Sequence, residues 1–179
     1  MVFTATRRES EEVAEQLSEQ LGADTRVWAL HGDMPQAQRQ RVMAGLRGGG
    51  RPVVMVATDV VARGLDVAGV DLVVQMGVPR KAGKKGTYDG ELYVHRAGRA
   101  GRMGSGEHRA DSVVLWDPAD GERGVVEGLS AAVGVQFETM EVPTADQLRC
   151  DPVAPHVLVS SSVVSVWCGS GWADEHWWW

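Results

Sequence analysis

Arginines, glycines and one histidine recur between positions 95 and 102, where the chain reads His95-Arg-Ala-Gly-Arg-Ala-Gly-Arg102. If this stretch is helical, its spacing of three and four positions places on one face His95, Gly98, Arg99 and Arg102. Two guanidinium groups aimed at one point can neutralise a phosphoryl group, whose charge is spread over three oxygens. A solvated basic face is the alternative, but it has no use for two glycines that each destabilise a helix by about 1 kcal/mol. The spacing therefore favours phosphoryl chemistry.

Two more polar segments directly follow apolar runs. The first reads His31-Gly-Asp-Met-Pro-Gln-Ala-Gln-Arg39, and the second reads Ala57-Thr-Asp-Val-Val-Ala-Arg-Gly-Leu-Asp66. Ligands of parallel α/β sheets bind at the carboxyl ends of the strands, so both segments are candidate parts of a site. Structural roles stay open for three of their residues: His31 as a packed loop histidine, Asp59 as a turn cap, and Arg63 as a partner of Asp66 or Asp71.

Strand and helix patterns alternate along the chain and must position these segments. Apolar runs predict strands over 2–5, 26–30, 52–57, 70–75 and 112–116. Helical patterns cover 6–21, 35–46 and 118–133, and the first of them begins with a capping box from Thr6 to Glu9. Alternating strands and helices predict βαβ units and thus an α/β fold with a parallel sheet. Trp28 and Trp116 fall inside predicted strands and are assigned to the core.

The charge is distributed unevenly over the 179 residues, whose net charge is −6. Residues 1–109 carry 16 Lys/Arg against 13 Asp/Glu, a balance of +3, whereas residues 110–179 carry 2 against 11, a balance of −9. Eight basic residues against three acidic ones lie between 80 and 109, which suits a phosphate ligand.

Composition also excludes several classes of protein. No apolar run approaches the roughly 20 residues that span a bilayer, and charges crowd the first twenty positions, so we expect an intracellular protein with no membrane contact. Cys150 and Cys168 can form neither a disulfide framework nor a four-ligand metal site, so no metal site is expected.

Four segments together resemble the motifs of DEAD-box RNA helicases. His95–Arg102 looks like motif VI, Ala57–Asp66 resembles motif V, Leu30–Arg39 resembles motif IVa, and Val2–Arg7 is similar to motif IV. They occur in the family's order with near-family spacing, over residues 2 to about 116. The resemblance implies a RecA-like parallel sheet flanked by helices, as in the second domain of an ATP-dependent RNA helicase.

The resemblance also implies which residues meet ATP. Arg99 and Arg102 match the arginine fingers for the γ-phosphate, and Asp66 matches the residue that binds the ribose hydroxyl. Gly64 belongs to the same ATP-binding segment. His95 matches the residue at the seam between the two helicase domains. The implied cofactors are ATP and Mg²⁺, the latter held mainly by the other domain.

RNA contacts are implied at five further positions. Thr58, Gly32, Gln36 and Arg39 match residues that line the RNA track, and Arg7 stands where the family usually has lysine. Contacts of this kind are made to phosphates, so RNA binding is expected to tolerate any sequence and to weaken strongly with salt.

The elements of the first helicase domain are missing from this sequence. It contains neither a GxxxxGK[ST] loop nor Asp-Glu-Ala-Asp, and Gly83-Lys84-Lys85 lacks the earlier glycine and the hydroxyl residue. We therefore expect the chain alone to be inactive and its N-terminal helicase domain to be a separate partner. A stand-alone RNA-binding or regulatory module is the alternative. A DNA translocase is disfavoured by the motif spacing.

The sequence predicts three successive regions along the chain. Residues 1–117 form the helicase C-terminal domain, residues 118–148 form a subfamily-type extension, and residues 149–179 form an irregular, tryptophan-rich tail that is more economically explained as a gene-model artefact. The extension resembles that of Gu-type nucleolar helicases and their organellar relatives, which implies the nucleus, the nucleolus or an organelle. Between motifs V and VI, Lys81–Gly90 is an insertion that is basic and rich in glycine.

Overall fold

The computed structural model describes residues 1–47, 50–62, 67, 70–81, 87–100, 111–116, 123–141 and 163–167. The strands are β1 (Val2–Thr4), β2 (Arg26–Leu30), β3 (Val53–Thr58), β4 (Leu72–Met76), β5 (Asp111–Trp116), β6 (Glu138–Glu141) and β7 (Val163–Trp167). The helices are α1 (Arg7–Leu21), α2 (Gln36–Arg47), α3 (Asp59–Ala62), α4 (Gly90–Ala97) and α5 (Arg123–Val133). Each of the five predicted strands and three predicted helices has a counterpart among these elements.

The seven strands form one sheet in the order β2-β3-β1-β4-β5-β7-β6. The first five strands in this order run parallel to their neighbours. Strand β7 pairs antiparallel with both β5 and β6. This confirms the predicted α/β fold, a RecA-like parallel sheet flanked by helices. Strand β7 lies within the segment 149–179, which the sequence analysis expects to be irregular.

Helix α1 begins as its capping box predicts. The Thr6 hydroxyl accepts a hydrogen bond from the Glu9 amide at 3.1 Å, and the Glu9 carboxylate accepts one from the Ala5 amide at 2.9 Å. Gly22, with a φ of 67°, ends the helix. The apolar stripe that includes Val13 and Leu17 packs on one face of the sheet.

The opposite face of the sheet carries the other helices. Helix α2 contributes Val42 to a cluster with residues of β2 and β3. Helices α4 and α5 contribute Tyr93 and Leu129 to a second cluster with Val114 and Trp116 of β5. Burial raises the pKa of the Tyr93 hydroxyl above its ordinary value.

The two tryptophans assigned to the core differ in burial. Trp116 is 8% exposed and lies in the cluster with α4 and α5. Trp28 is half-buried, and its ring lies so close to Gly45 of α2 that a Cβ atom there would overlap it. Glycine at this position therefore allows α2 to pack against β2. Within the described ranges, no helix combines the length and the apolar character needed to cross a membrane.

In a protein sample that starts at Met1, the α-amino group of this residue is expected to make stability depend on pH. Burial lowers its pKa from 8.0 to about 6, and the nearby Asp71 carboxylate offsets this only in part. Between these two values the unfolded chain binds a proton that the folded chain does not, so the free energy of unfolding should rise as the pH increases from about 6 to 8. Urea unfolding at pH 6, 7 and 8 measures this rise. The same chain acetylated at Met1 should show a smaller rise, and equal rises in the two forms would contradict the assignment.

Candidate functional site

The carboxyl ends of four neighbouring parallel strands meet at one edge of the sheet, because the strand order is β2-β3-β1-β4. The loop 31–35 follows β2, and Thr58 is the last residue of β3. Arg7 begins α1 directly after β1, and Gly77 follows β4. The residues that the sequence predicts as RNA ligands therefore collect at this edge.

Three of these residues meet at the loop 31–35. Arg7 forms an ion pair with Asp33, and both side chains are more than half exposed. Arg39 of α2 donates a hydrogen bond from Nη2 to the carbonyl oxygen of Gly32. Gln36, the first residue of α2, is exposed beside them. The loop is thus held between the beginnings of α1 and α2, and its arginines are bound to oxygen atoms of the protein.

His31 lies at the base of the same loop. Its Nε2 is 3.0 Å from the Glu11 carboxylate of α1, and its side chain is 11% exposed. A pocket of about 350 Å³ adjoins it and is lined by, among others, Trp28, Gln38 and Val42. This environment fits the interpretation of His31 as a packed loop histidine.

Thr58 is less accessible than the other predicted RNA ligands. It pairs in register with Thr4 at the end of β1 and is 7% exposed. The other predicted ligands, Arg7, Gly32, Gln36 and Arg39, are exposed or half-buried. A phosphate at this edge would therefore meet the arginines before it met the Thr58 hydroxyl.

A partly buried ion pair joins the start of α3, directly after β3, to helix α4. Arg96 donates from Nε and Nη2 to the two carboxylate oxygens of Asp59, both at 2.7 Å. Arg96 is 5% exposed, and its guanidinium lies 5.3 Å above the centre of the Phe3 ring. Asp59 directly follows Thr58, and Arg96 directly follows His95. The pair thus connects the two segments that are predicted to bind RNA and nucleotide.

Sequence reasoning missed this pair. It gave Asp59 the alternative role of a turn cap, and it assigned Arg96 no role. The two residues are 37 positions apart, and neither belongs to a periodic pattern that would bring them together. The available signal was a charged residue at the end of an apolar strand, since such a charge needs a partner once it is buried.

Helix α4 carries the predicted nucleotide-side residues only in part. The Asp89 side chain caps it by accepting from the Leu92 amide at 3.0 Å. His95 is exposed, with Nε2 3.7 Å from Glu91 one turn earlier. The helix ends at Ala97, so Gly98 and the half-buried Arg99 lie in the following turn.

The interpretation of residues 95–102 as one continuous helix is wrong, because α4 ends at Ala97. Arg102 lies outside the described residues, as do Gly64, Asp66 and Arg63. The described part of the chain therefore brings together the predicted RNA ligands. Of the nucleotide-side residues it places only His95 and Arg99.

Comparison with known proteins tests the family resemblance. The family model described as the helicase conserved C-terminal domain matches residues 1–104, a range that includes all four motif segments. The mitochondrial DEAD-box ATP-dependent RNA helicase 9 of Arabidopsis thaliana is 39% identical over 140 residues, covering 78% of this chain and 20% of the relative. The chloroplastic DEAD-box ATP-dependent RNA helicase 3B of Zea mays is 36% identical over 160 residues, covering 89% of this chain and 19% of the relative. The chain spans about a fifth of the length of these relatives.

A solved structure shares the fold. Helicase domain 2 of the DEAD-box protein Mss116p, bound to an RNA duplex, superimposes with a TM-score of 0.60 at 26% identity, covering 75% of this chain and 47% of that one. The match to the family model, the sequence identity to the relatives and the shared fold all agree with the four motifs. The chain belongs to the family of helicase conserved C-terminal domains, in the form found in DEAD-box RNA helicases.

Proposed function

We propose that this domain binds the phosphate backbone of RNA at the loop 31–35 and supplies arginine fingers to a nucleotide held by a separate N-terminal helicase domain. One observation carries the RNA part of the proposal: Arg7, Gly32 and Arg39 converge on that loop at the carboxyl edge of the sheet. The related helicase domain 2 of Mss116p, whose structure contains an RNA duplex, supports RNA as the ligand.

The ligand-free contacts indicate how RNA would bind. In the absence of RNA, the Arg7 guanidinium pairs with the Asp33 carboxylate, and the Arg39 guanidinium donates to the Gly32 carbonyl. A backbone phosphate carries one negative charge, like the Asp33 carboxylate and unlike the neutral Gly32 carbonyl, so its oxygen atoms can replace both as acceptors for the two guanidiniums. Exposed ion pairs such as that of Arg7 contribute at most about 1 kcal/mol, so the exchange is inexpensive. None of these contacts reads a base, which predicts sequence-tolerant binding.

On the nucleotide side, the proposal assigns residues of α4 and the turn after it. When bound, ATP supplies the phosphoryl group that is transferred to water. Arg99 and Arg102 would neutralise the charge that develops on that group, and His95 would lie at the seam with the partner domain. Guanidinium groups fit a polyphosphate. As the family resemblance implies, Mg²⁺ is assigned mainly to the partner domain.

The partly buried pair Arg96–Asp59 would hold these two functions in fixed relation. Its bidentate geometry restricts both the position and the rotation of α4 relative to β3. His95 and Thr58, its sequence neighbours, are restricted with it. We therefore regard Arg96 and Asp59 as positioning residues and not as residues that contact a ligand.

The compartment is proposed to be an organelle. Relatives over most of this chain are named as mitochondrial and chloroplastic helicases. The resemblance of the extension after residue 118 to Gu-type helicases and their organellar relatives is compatible with that location.

Charge removal at the loop tests the RNA part of the proposal. The double variant Arg7→Gln/Arg39→Gln is expected to bind single-stranded RNA about tenfold more weakly at low salt, because it loses two phosphate contacts. The slope of log affinity against log salt should fall by about 1 to 1.5. Fluorescence anisotropy with a labelled 12-nucleotide oligouridine measures both quantities.

The matched control removes the same charge elsewhere. Arg41 is exposed in the middle of α2, and Arg51 precedes β3 at the opposite edge of the sheet. The double variant Arg41→Gln/Arg51→Gln should keep nearly the wild-type affinity. Equal losses of RNA affinity in the two double variants would mean that binding depends only on general electrostatic attraction. This result would contradict a site at the loop 31–35.

A further inference from the structure

The insertion between motifs V and VI is built as a hairpin at its base. Arg80 and Tyr88 form an antiparallel bridge. The Lys81 amide donates to the Thr87 carbonyl at 3.0 Å, and the Asp89 amide donates to the Pro79 carbonyl at 2.9 Å. These two hydrogen bonds form the bridge, and they fix where the two arms of the insertion leave the domain.

This hairpin base is packed against the rest of the domain. The Tyr88 ring lies on Gly128 of α5, where an added Cβ atom would be 3.1 Å from the ring carbons Cδ2 and Cε2. A Cβ atom added to Gly90, at the start of α4, would likewise lie 3.1 Å from Cγ1 of Val133 in α5. Asp89 caps α4, the helix that carries His95. The position of the hairpin base is thus set by the same two helices that build the core cluster on β5.

The hairpin leaves the sheet at the edge where the candidate RNA site lies. Arg80 comes four residues after the end of β4, and β4 is parallel to and paired with β1. Arg7 follows β1 at the same edge. Both Arg80 and Lys81 are exposed. The loop 31–35 and the hairpin base therefore stand on the same edge, on either side of β1 and β3.

The charge of the sequence at this insertion indicates the kind of ligand. Residues 80–88 read Arg-Lys-Ala-Gly-Lys-Lys-Gly-Thr-Tyr, with four basic residues and no acidic one. Between the basic residues are only alanine and glycine, which provide no apolar anchor for a protein partner. Clustered positive charge without an apolar anchor suits a phosphate backbone.

We propose that Arg80 and Lys81 form a second contact for the RNA backbone, separate from the loop 31–35, so that a bound strand extends along the carboxyl edge past β4. This inference rests on the proposed RNA binding. It adds a site that depends on an insertion of this chain. The contact is made through charge, so it adds affinity and salt dependence without adding sequence preference.

The test compares four double variants of the full chain with the wild type, among them Arg7→Gln/Arg39→Gln, using labelled oligouridines of 6 and 18 nucleotides. Arg80→Gln/Lys81→Gln is expected to weaken binding of the 18-mer about three- to tenfold and to lower its salt slope by about 1. The 6-mer should lose less, because it has fewer phosphates with which to reach both contacts at once. Arg80→Lys/Lys81→Arg keeps the charges and should retain the wild-type values. Arg41→Gln/Arg51→Gln is the control for loss of charge.

The outcomes separate the two proposals. If the wild type binds neither oligonucleotide, the proposed function is wrong and this inference is wrong with it. If the wild type binds and Arg7→Gln/Arg39→Gln weakens it, but Arg80→Gln/Lys81→Gln does not weaken the 18-mer more than the control does, only the second contact is wrong. Urea midpoints show whether a variant has lost its fold. If Arg80→Gln/Lys81→Gln unfolds, Arg80→Gln alone decides, with the same expected direction.

Discussion

Replacing Arg96 by methionine is expected to lower the free energy of unfolding by about 3–5 kcal/mol. The substitution leaves the Asp59 carboxylate, whose side chain is only 20% exposed, without its two charge-assisted hydrogen bonds. A carboxylate left partly buried without a partner is strongly destabilising, because the folded protein no longer compensates for the water it has lost. A domain of this size has about 5–15 kcal/mol of stability in total, so the variant should be close to unfolding at moderate temperature.

Urea unfolding of three variants measures this effect and assigns its cause. Arg8→Met breaks an exposed pair with Glu12 on α1 and should leave the free energy of unfolding almost unchanged, because solvent screens that pair. The double variant Asp59→Asn/Arg96→Met should be more stable than Arg96→Met alone, because no charge is left buried. The assignment fails if Arg96→Met costs no more than Arg8→Met, or if adding Asp59→Asn brings no recovery.

The sheet could be predicted from the sequence because its strands are continuous apolar runs. A strand buried on both faces is mostly apolar, and β3 and β4 show that pattern apart from Thr58 and Gln75. The start of α1 was equally predictable, because a capping box is a local signal within four residues. The pairing of Arg96 with Asp59 carries no local signal. It depends on the packing of α4 against the sheet, which the order of strands alone does not specify.

The end of α4 shows the same limit. The spacing of His95, Gly98 and Arg99 matches one helical face, and the sequence therefore treats them as a unit. In the structure the helix ends at Ala97, where the Gly98 amide bonds to the Val94 carbonyl and the Arg99 amide bonds back to the Arg96 carbonyl. Glycine makes this exit easy, since it weakens a helix wherever it stands. A continuous helix would contain both Gly98 and Gly101. The structure explains the first of these glycines, because Gly98 ends the helix.

Removing both predicted arginine fingers is expected to have the largest effect on activity. In an enzyme that joins this chain to an N-terminal domain with a phosphate loop and a DEAD motif, Arg99→Gln/Arg102→Gln should reduce RNA-stimulated phosphate release by about a thousandfold or more. Two guanidiniums that neutralise a transferring phosphoryl group act mainly in the transition state, so kcat should fall while the affinity for RNA stays nearly constant.

Two comparisons decide whether Arg99 and Arg102 act in this way. The chain without its partner domain should release no phosphate above background with RNA present, because it contains neither a phosphate loop nor a DEAD motif. In the joined enzyme, Arg7→Gln/Arg39→Gln should show the opposite pattern. The RNA concentration needed for half-maximal activity should rise, and kcat should change less. If the Arg99/Arg102 variant raises the RNA requirement and keeps kcat, these two arginines contact RNA and not the nucleotide. The assignment based on their resemblance to motif VI would then be wrong, whereas the site at the loop 31–35 would be unaffected.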